Sequence, residues 1–482
     1  MIVKFDIIND DAYIIASDDV LEQIRFKFSI ENAAKNFVKG NKKKFIPSRL
    51  YAIAPTGKFE IGLAGEILRT IASKQLASKV EMTDAFKMLY KPTIDAQVYN
   101  SLAFELRDYQ HQGIERALKQ GRGICLLATG AGKTLLMASL AASIKSPFAP
   151  FKCLIVVPDP GLALQTYNDF QKYQVPFKVS LWTGENELDK TADVIIANQR
   201  ILLNRADENK WIYKVTTLIV DEVHTIKKDN KINKIINKIE TNNRFGMTGT
   251  LPTAPLDKWN VLGLFGEILI IKSSAELRAG GYLAAVEAKI LNITYKNAPK
   301  PVTDADKKKL ATAKYRAELD FLHHNEYRNS IIKQICCGFN NNVLIMVNNL
   351  VHGEVLKNKL SECSGKQVYF ISGAMEMEDR EFIKQLMEQN NDIIVIAMSK
   401  IFSTGISINN IHMIVFAAGG KSFVRVVQSI GRGLRLHESK NKLIIIDVQD
   451  NLEYGGSHAG ARTQIYESEK INFSVNYFVE KR

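Results

Sequence analysis

Residues 130–134 read Gly-Ala-Gly-Lys-Thr. Small residues at such a turn let backbone N–H groups close around an anion, and a helix starting there adds partial positive charge. Lys133 can reach the outer phosphates of a nucleotide, and the Thr134 hydroxyl can ligate a magnesium ion. Further on stands Asp221-Glu222-Val223-His224, a carboxylate pair closing an apolar run. Asp221 suits a hydrated magnesium ion, Glu222 suits activation of an attacking water, and His224 can connect the pair to Thr248-Gly249-Thr250. Ahead of the glycine run, Gln110 offers one donor and one acceptor to an adenine edge. Gln428, Arg432 and Arg435 come late in the chain. The two arginines, three positions apart at a helix end, face the same way and suit a transferring phosphate. This is the chemistry of ATP hydrolysis with Mg2+. One departure is Leu127, where a small residue usually opens the phosphate loop, and it is expected to blur that turn slightly.

These residues need a scaffold that brings strand ends together. Apolar runs at 124–127, 153–157, 179–182, 193–197 and 218–220 alternate with helix-periodic stretches and end in polar clusters. That alternation predicts a parallel α/β sheet, whose ligands sit beyond the carboxyl ends of the strands. A second set, at 343–347, 367–371, 393–397, 413–416 and 443–446, predicts another such unit without a phosphate loop. Residues 303–337 read as mostly helical, with His323 and His324 as surface residues rather than metal ligands.

The first hundred residues carry hairpin-like runs at 2–8 and 12–16, helical stretches at 20–28 and 67–76, and strands at 49–53 and 58–61. They predict a small α+β unit, joined to the rest by a linker over 90–100 that holds Pro92. Between its elements, Lys42, Lys43 and Lys44 lie among flanking aromatics and could track a phosphate backbone. The domains expected are 1–98, 99–272 and 273–482.

The formal charge of +13 over 482 residues suits a polyanionic partner, nucleic acid first. The five cysteines show no metal-ligand spacing, and their odd number suits a reducing compartment. No long apolar run or signal peptide stands in the sequence, so a cytoplasmic protein without a membrane partner is expected.

The order of Gln110, Gly-Ala-Gly-Lys-Thr, Asp-Glu-Val-His, Thr-Gly-Thr, Thr-Gly-Ile-Ser and Gln-x-x-Gly-Arg-x-x-Arg resembles the DExH helicases of superfamily 2. Residues 401–407 with 428–435 are similar to the UvsW-type recombination helicases of bacteriophages. The resemblance implies two RecA-like lobes with ATP between them, preceded by the small α+β domain. It implies nucleotide contacts from Arg107, Gln110, Thr129, Gly130, Ala131, Gly132, Lys133, Thr134 and Gly405. It implies catalytic roles for Lys133, Asp221, Glu222, His224, Gln428, Arg432 and Arg435, with magnesium on Thr134 and Asp221. Nucleic acid contacts would fall at Pro158, Thr183, Gly184, Asn198, Gln199, Ser372, Gly373 and Thr404. Ser407 stands where many members carry Asp, which weakens a ribose or charge-coupling role there.

The activity so implied is 3′-to-5′ translocation on DNA by a monomer. It would unwind or branch-migrate forks and four-way junctions in recombination, repair and replication. Rival readings are an RNA-directed helicase, a restriction-system motor, and a clamp that binds without turnover. The intact Lys133, Glu222 and Arg435 speak against the clamp, and no nuclease constellation supports the restriction enzyme.

Overall fold

A computed structural model describes residues 1–37, 46–145, 150–296, 307–363, 365–373, 375–399, 408–417, 440 and 442–480. The chain divides into two compact units, Met1–Ala128 with Gly132–Lys272, and Ser273–Arg482 with Thr129–Ala131.

The first unit opens with β1 (Ile2–Ile8) and β2 (Asp11–Ile15), an antiparallel hairpin. Its turn places Asn9 and Asp10 at φ 50° and 65°, a left-handed region that short polar side chains tolerate. A separate ladder pairs β3 (Ser29–Glu31) with β4 (Arg49–Tyr51). With β5 (Lys58–Phe59) and β6 (Lys79–Met82) the small sheet has the order β5-β2-β1-β6. Phe5, Phe59 and Phe86 meet beneath it, and the Ala64–Ser73 helix adds the buried Ile67 and Ile71, four apart.

The same unit then builds a seven-stranded sheet. Its strands are β7 (Arg122–Leu127), β8 (Cys153–Val157), β9 (Val179–Trp182), β10 (Val194–Asn198), β11 (Thr217–Asp221), β12 (Asn243–Thr248) and β13 (Ile268–Lys272). Their order is β13-β7-β12-β11-β8-β10-β9, and every pair is parallel. All residues of β8 and β10 are buried, as strands covered on both faces must be.

The second unit repeats the architecture. Its strands are β14 (Ala285–Thr294), β15 (Val343–Val347), β16 (Gln367–Ile371), β17 (Ile393–Met398), β18 (Met413–Phe416), β19 (Lys442–Asp450) and β20 (Asn472–Val479). The order is β16-β17-β15-β18-β19-β14-β20, again all parallel. Both sheets are the α/β class expected, two RecA-like lobes.

The expected helical stretch is present, and one expectation, the surface place of His323, needs correction. The helical stretch before β15 is two helices, Lys307–His324 and Glu326–Cys337. Asn325 separates them, its Oδ1 accepting from Arg328 N at 2.8 Å to cap the second. His323 is not a surface residue: it is 8 % exposed and stacks on the His352 ring at 4.9 Å. Cys337 and Cys363 are joined as a disulfide, while Cys125, Cys153 and Cys336 are free and buried. Among the described residues no helix is long and apolar enough to cross a membrane.

Candidate nucleotide site

β7 ends at Leu127, which is fully buried. Leu127 therefore belongs to the strand core, and the turn is made after it. Gly130 (φ 84°) and Gly132 (φ 74°) take left-handed conformations that a side chain would resist. Gly132 caps the Lys133–Ile144 helix, and a Cβ there would stand 2.5 Å from Gln110 Nε2. That helix is buried from Leu136 to Ser143, so its N-terminus is held firmly at the loop.

Gln110 fastens the loop from behind. It lies in the Asp108–Gln120 helix, 1 % exposed. Its Nε2 donates to Gly132 O at 3.0 Å, and its Oε1 accepts from Arg107 N at 2.8 Å. Reading an adenine edge would require exchange of these bonds. Arg107 Nη1 donates to Tyr109 Oη at 2.8 Å.

β11 and β12 are parallel neighbours, so the Asp221 and Thr248 strand ends lie side by side. Glu222 follows in a left-handed conformation (φ 51°). Its Oε1 is 3.6 Å from Lys133 Nζ, and its Oε2 is 3.1 Å from His224 Nδ1. Lys133 Nζ also donates to Leu127 O at 3.4 Å. His224 Nδ1 lies 2.9 Å from Thr248 Oγ1, whose hydroxyl donates to Thr250 O at 2.8 Å. With the Thr248 proton so used, Nδ1 is the protonated nitrogen of His224. Lys133, Glu222, His224 and Thr248 thus form one polar chain across three strand ends. Burial first, and the Glu222 charge second, push the Asp221 carboxyl up to about 7.

Gln199 extends this chain outward. Its Nε2 donates to Thr225 Oγ1 at 2.9 Å, and that hydroxyl donates to Glu222 O at 2.9 Å. Thr225 was not foreseen in the sequence; its only signal is its place three residues after Glu222. Pro158 is half-buried at the end of β8, and Gly184 is exposed beside open space. Two further candidates turn inward. Asn198 is 2 % exposed and caps the Gln199–Arg205 helix through Ile201 N at 2.9 Å. Thr183 is buried, its Oγ1 accepting from Asn186 Nδ2 at 2.9 Å. In the second unit, Arg380 Nη2 donates to the carbonyls of Ser372 and Gly373 at 3.4 and 3.1 Å. Lys42, Lys43, Lys44, Thr404, Gly405, Gln428, Arg432 and Arg435 lie outside the described residues.

The chain is similar to known proteins. Residues 103–253 match the family of the type III restriction enzyme res subunit, and residues 327–437 match the helicase conserved C-terminal domain. The ATP-dependent DNA helicase uvsW of Enterobacteria phage T4 is 28% identical over 76% of this chain and 76% of its own. The DNA 3'-5' translocase XPB2 of Sulfurisphaera tokodaii is 24% identical over 75% of this chain and 87% of its own. In fold, the chain is like the ATP-dependent Type ISP restriction-modification enzyme LlaBIII bound to DNA. That likeness has a TM-score of 0.58 at 15% identity and covers 78% of this chain and 31% of that one. With both motor domains matched in order and the polar chain assembled at the strand ends, the protein belongs to the ATP-hydrolysing helicases of superfamily 2 and is related to UvsW.

Proposed function

We propose that this helicase is a monomeric, cytoplasmic 3′-to-5′ DNA translocase that unwinds or branch-migrates forked and four-way junction DNA. Its setting would be recombination, repair and replication. The observation that carries the coupling is the link Gln199–Thr225–Glu222, which joins a residue expected to meet nucleic acid to the backbone carbonyl of the residue whose carboxylate is expected to activate water. The names of the phage helicase and the archaeal translocase support DNA as the track and 3′-to-5′ as the direction. The charge of +13 supports a phosphate backbone as the ligand.

In this reading Lys133 and the loop 129–132 hold the phosphates of ATP. Glu222 orients the attacking water, and its contacts with Lys133 and His224 fix the carboxylate for that task. The rise of Asp221 to about 7 fits a divalent cation, since a cation beside a buried carboxyl favours its ionised form. Asp221 and Thr134 would hold magnesium, which when bound offsets charge on the phosphates. Arg432 and Arg435, supported by Gln428, would stabilise the transferring phosphate, and Gly405 would line the nucleotide. Residues 1–98, 99–272 and 273–482 would act as accessory domain, ATP-binding lobe and C-terminal lobe, with Lys42, Lys43 and Lys44 contacting DNA.

ATPase rates with single-stranded DNA, duplex, fork, four-way junction and matched RNA test the proposal. Fork or junction DNA should stimulate most. Equal or greater stimulation by RNA would keep the motor and overturn the recombination role.

A further inference from the structure

The phosphate loop leaves one end of β7; at the other end stands Arg122. We propose that the cavity beside Arg122 is a binding site for a small phosphate-class oxyanion, separate from the nucleotide site. The cavity holds about 560 Å³ and is walled by the small N-terminal sheet and by residues of the first parallel sheet.

Arg122 is 4 % exposed, yet its guanidinium is nearly unpartnered. Its Nη2 makes one long hydrogen bond, to Asn242 Oδ1 at 3.4 Å, and its Nε is buried without a partner. Among the described residues no carboxylate lies within ion-pair distance of it. Instead a second buried guanidinium, Arg244, shares the cavity wall. Arg244 donates to the carbonyls of Thr241, Ile236 and Ile239, so its hydrogen bonds are met, and the Glu60 carboxyl on the same wall acts on both guanidiniums through space. Burial, and then Arg244, lower Arg122 to about 9.

A buried guanidinium whose donors stay open is costly, and a second one nearby adds repulsion that the Glu60 carboxyl offsets only from a distance. An oxyanion on the Arg122 fork relieves both terms, because guanidinium and phosphate match in a bidentate geometry. The acids nearby set the size of that anion. Asp11 is held by Lys58 at 2.5 Å, and among the described residues Glu60 makes no ion pair with Arg122 or Arg244 although it lines the same cavity. Asp10 and Glu240 are exposed lining residues and would repel a polyanion such as a DNA strand. What remains is a compact, singly or doubly charged oxyanion. Since the cavity wall combines the N-terminal sheet with the parallel sheet, such an anion would tie the two together.

Titration of the full chain with inorganic phosphate tests this, by calorimetry and melting temperature. The nucleotide site is first saturated with Mg2+ and a non-hydrolysable ATP analogue. Saturable binding and a rise in melting temperature are expected, retained in Lys133→Ala. Arg122→Met should bind at least ten-fold more weakly, and in phosphate-free buffer should melt no lower than the parent. Should Arg122→Met fail to fold, Lys238→Glu at the cavity decides, with several-fold weaker binding expected. Absence of saturable binding in the parent overturns the proposal. So does undiminished affinity in Arg122→Met, or in Lys238→Glu where that variant decides.

Discussion

The two parallel sheets carry acids near the same ends of their strands, half-buried in the first and buried in the second, and treat them oppositely. In the second unit Asp447 is fully buried and accepts from Arg462 Nε at 2.8 Å, Tyr466 Oη at 3.0 Å and Gln449 Nε2 at 3.2 Å. Asp450 accepts from Arg328 Nε at 2.8 Å and Nη2 at 3.2 Å, and from Tyr295 Oη. Arg328 completes its set with Ala417 O at 2.6 Å and His352 Nε2 at 3.3 Å. In the first unit, among the described residues, Asp221 has one hydrogen bond, from Glu222 N at 2.9 Å. Acids satisfied from within hold a fold together. An acid left short of partners, beside a lysine and a glycine-rich loop, awaits a ligand.

Removing one partner from the satisfied side should cost most. Arg328→Met leaves Asp450 charged and buried, and should lower unfolding free energy by about 3–5 kcal/mol in urea titrations. Adding Asp450→Leu should recover much of that loss, since the pair is worth little against apolar packing once both are gone. Asp221→Asn should change stability by under about 1 kcal/mol while abolishing turnover. Equal destabilisation by Arg328→Met and Asp221→Asn would break the distinction between the two sheets.

On the ligand side, Lys133→Ala should cut steady-state ATPase by about 10²–10³-fold or more, the scale for losing one charge-stabilising donor. DNA binding, followed by fluorescence anisotropy, should stay within about two-fold of the parent, because the expected phosphate-backbone contacts lie elsewhere. Full ATPase in this variant would sink the site assignment.

The same contrast governs what could be read from the chain. β8, β15 and β18 coincide with their apolar runs, because strands buried on both faces must be apolar throughout, and the edge strands β9 and β16 coincide with theirs despite Ser180 and Gln367. β14 and β20 escaped notice. Glu287, Lys289 and Asn292 interrupt the first, and β20 is an edge strand exposed along its length except at Phe478, with Asn472, Ser474 and Asn476 among its apolar residues. The Glu453–Ser468 helix was hidden by Gly455 and Gly456, poor helix formers. Lys133, Asp221, Glu222 and His224 were legible because phosphate chemistry demands those types in that order. Arg328 and Arg462 were not, since charged residues on helices read as surface and their acids come from distant strands. The use of Asn198 as a helix cap and of Thr183 as a turn acceptor was equally hidden: one polar residue after a strand can serve a ligand or its own backbone.

The satisfied side should also show itself in acid. Burial first, then the Arg328 charge, lower His352 to about 2, against about 6.5 in an unfolded chain. Its folded form stays neutral, so below about pH 6.5 the unfolded state binds the extra proton. Stability from this group is full above that pH and falls as acid is added, by up to about 1.4 kcal/mol per pH unit. His352→Phe, which keeps a ring against His323, should flatten that part of the melting-temperature profile between pH 6.5 and 5. An unchanged slope would assign the acid sensitivity to other groups.

The smallest effect should come from the link that joins the expected DNA face to catalysis. Gln199→Ala deletes one side-chain hydrogen bond, worth about 0.5–1.5 kcal/mol. Without DNA, ATPase should barely change, because Thr225 still donates to Glu222 O and Lys133 still faces Glu222. With DNA, the stimulated rate should fall by about two- to ten-fold, the same energy expressed in the transition state. Thr225→Val should match it, and the double variant should lose no more than either alone, since both break one chain. Additive losses would mean that Gln199 and Thr225 act separately, and that Glu222 feels DNA by another route.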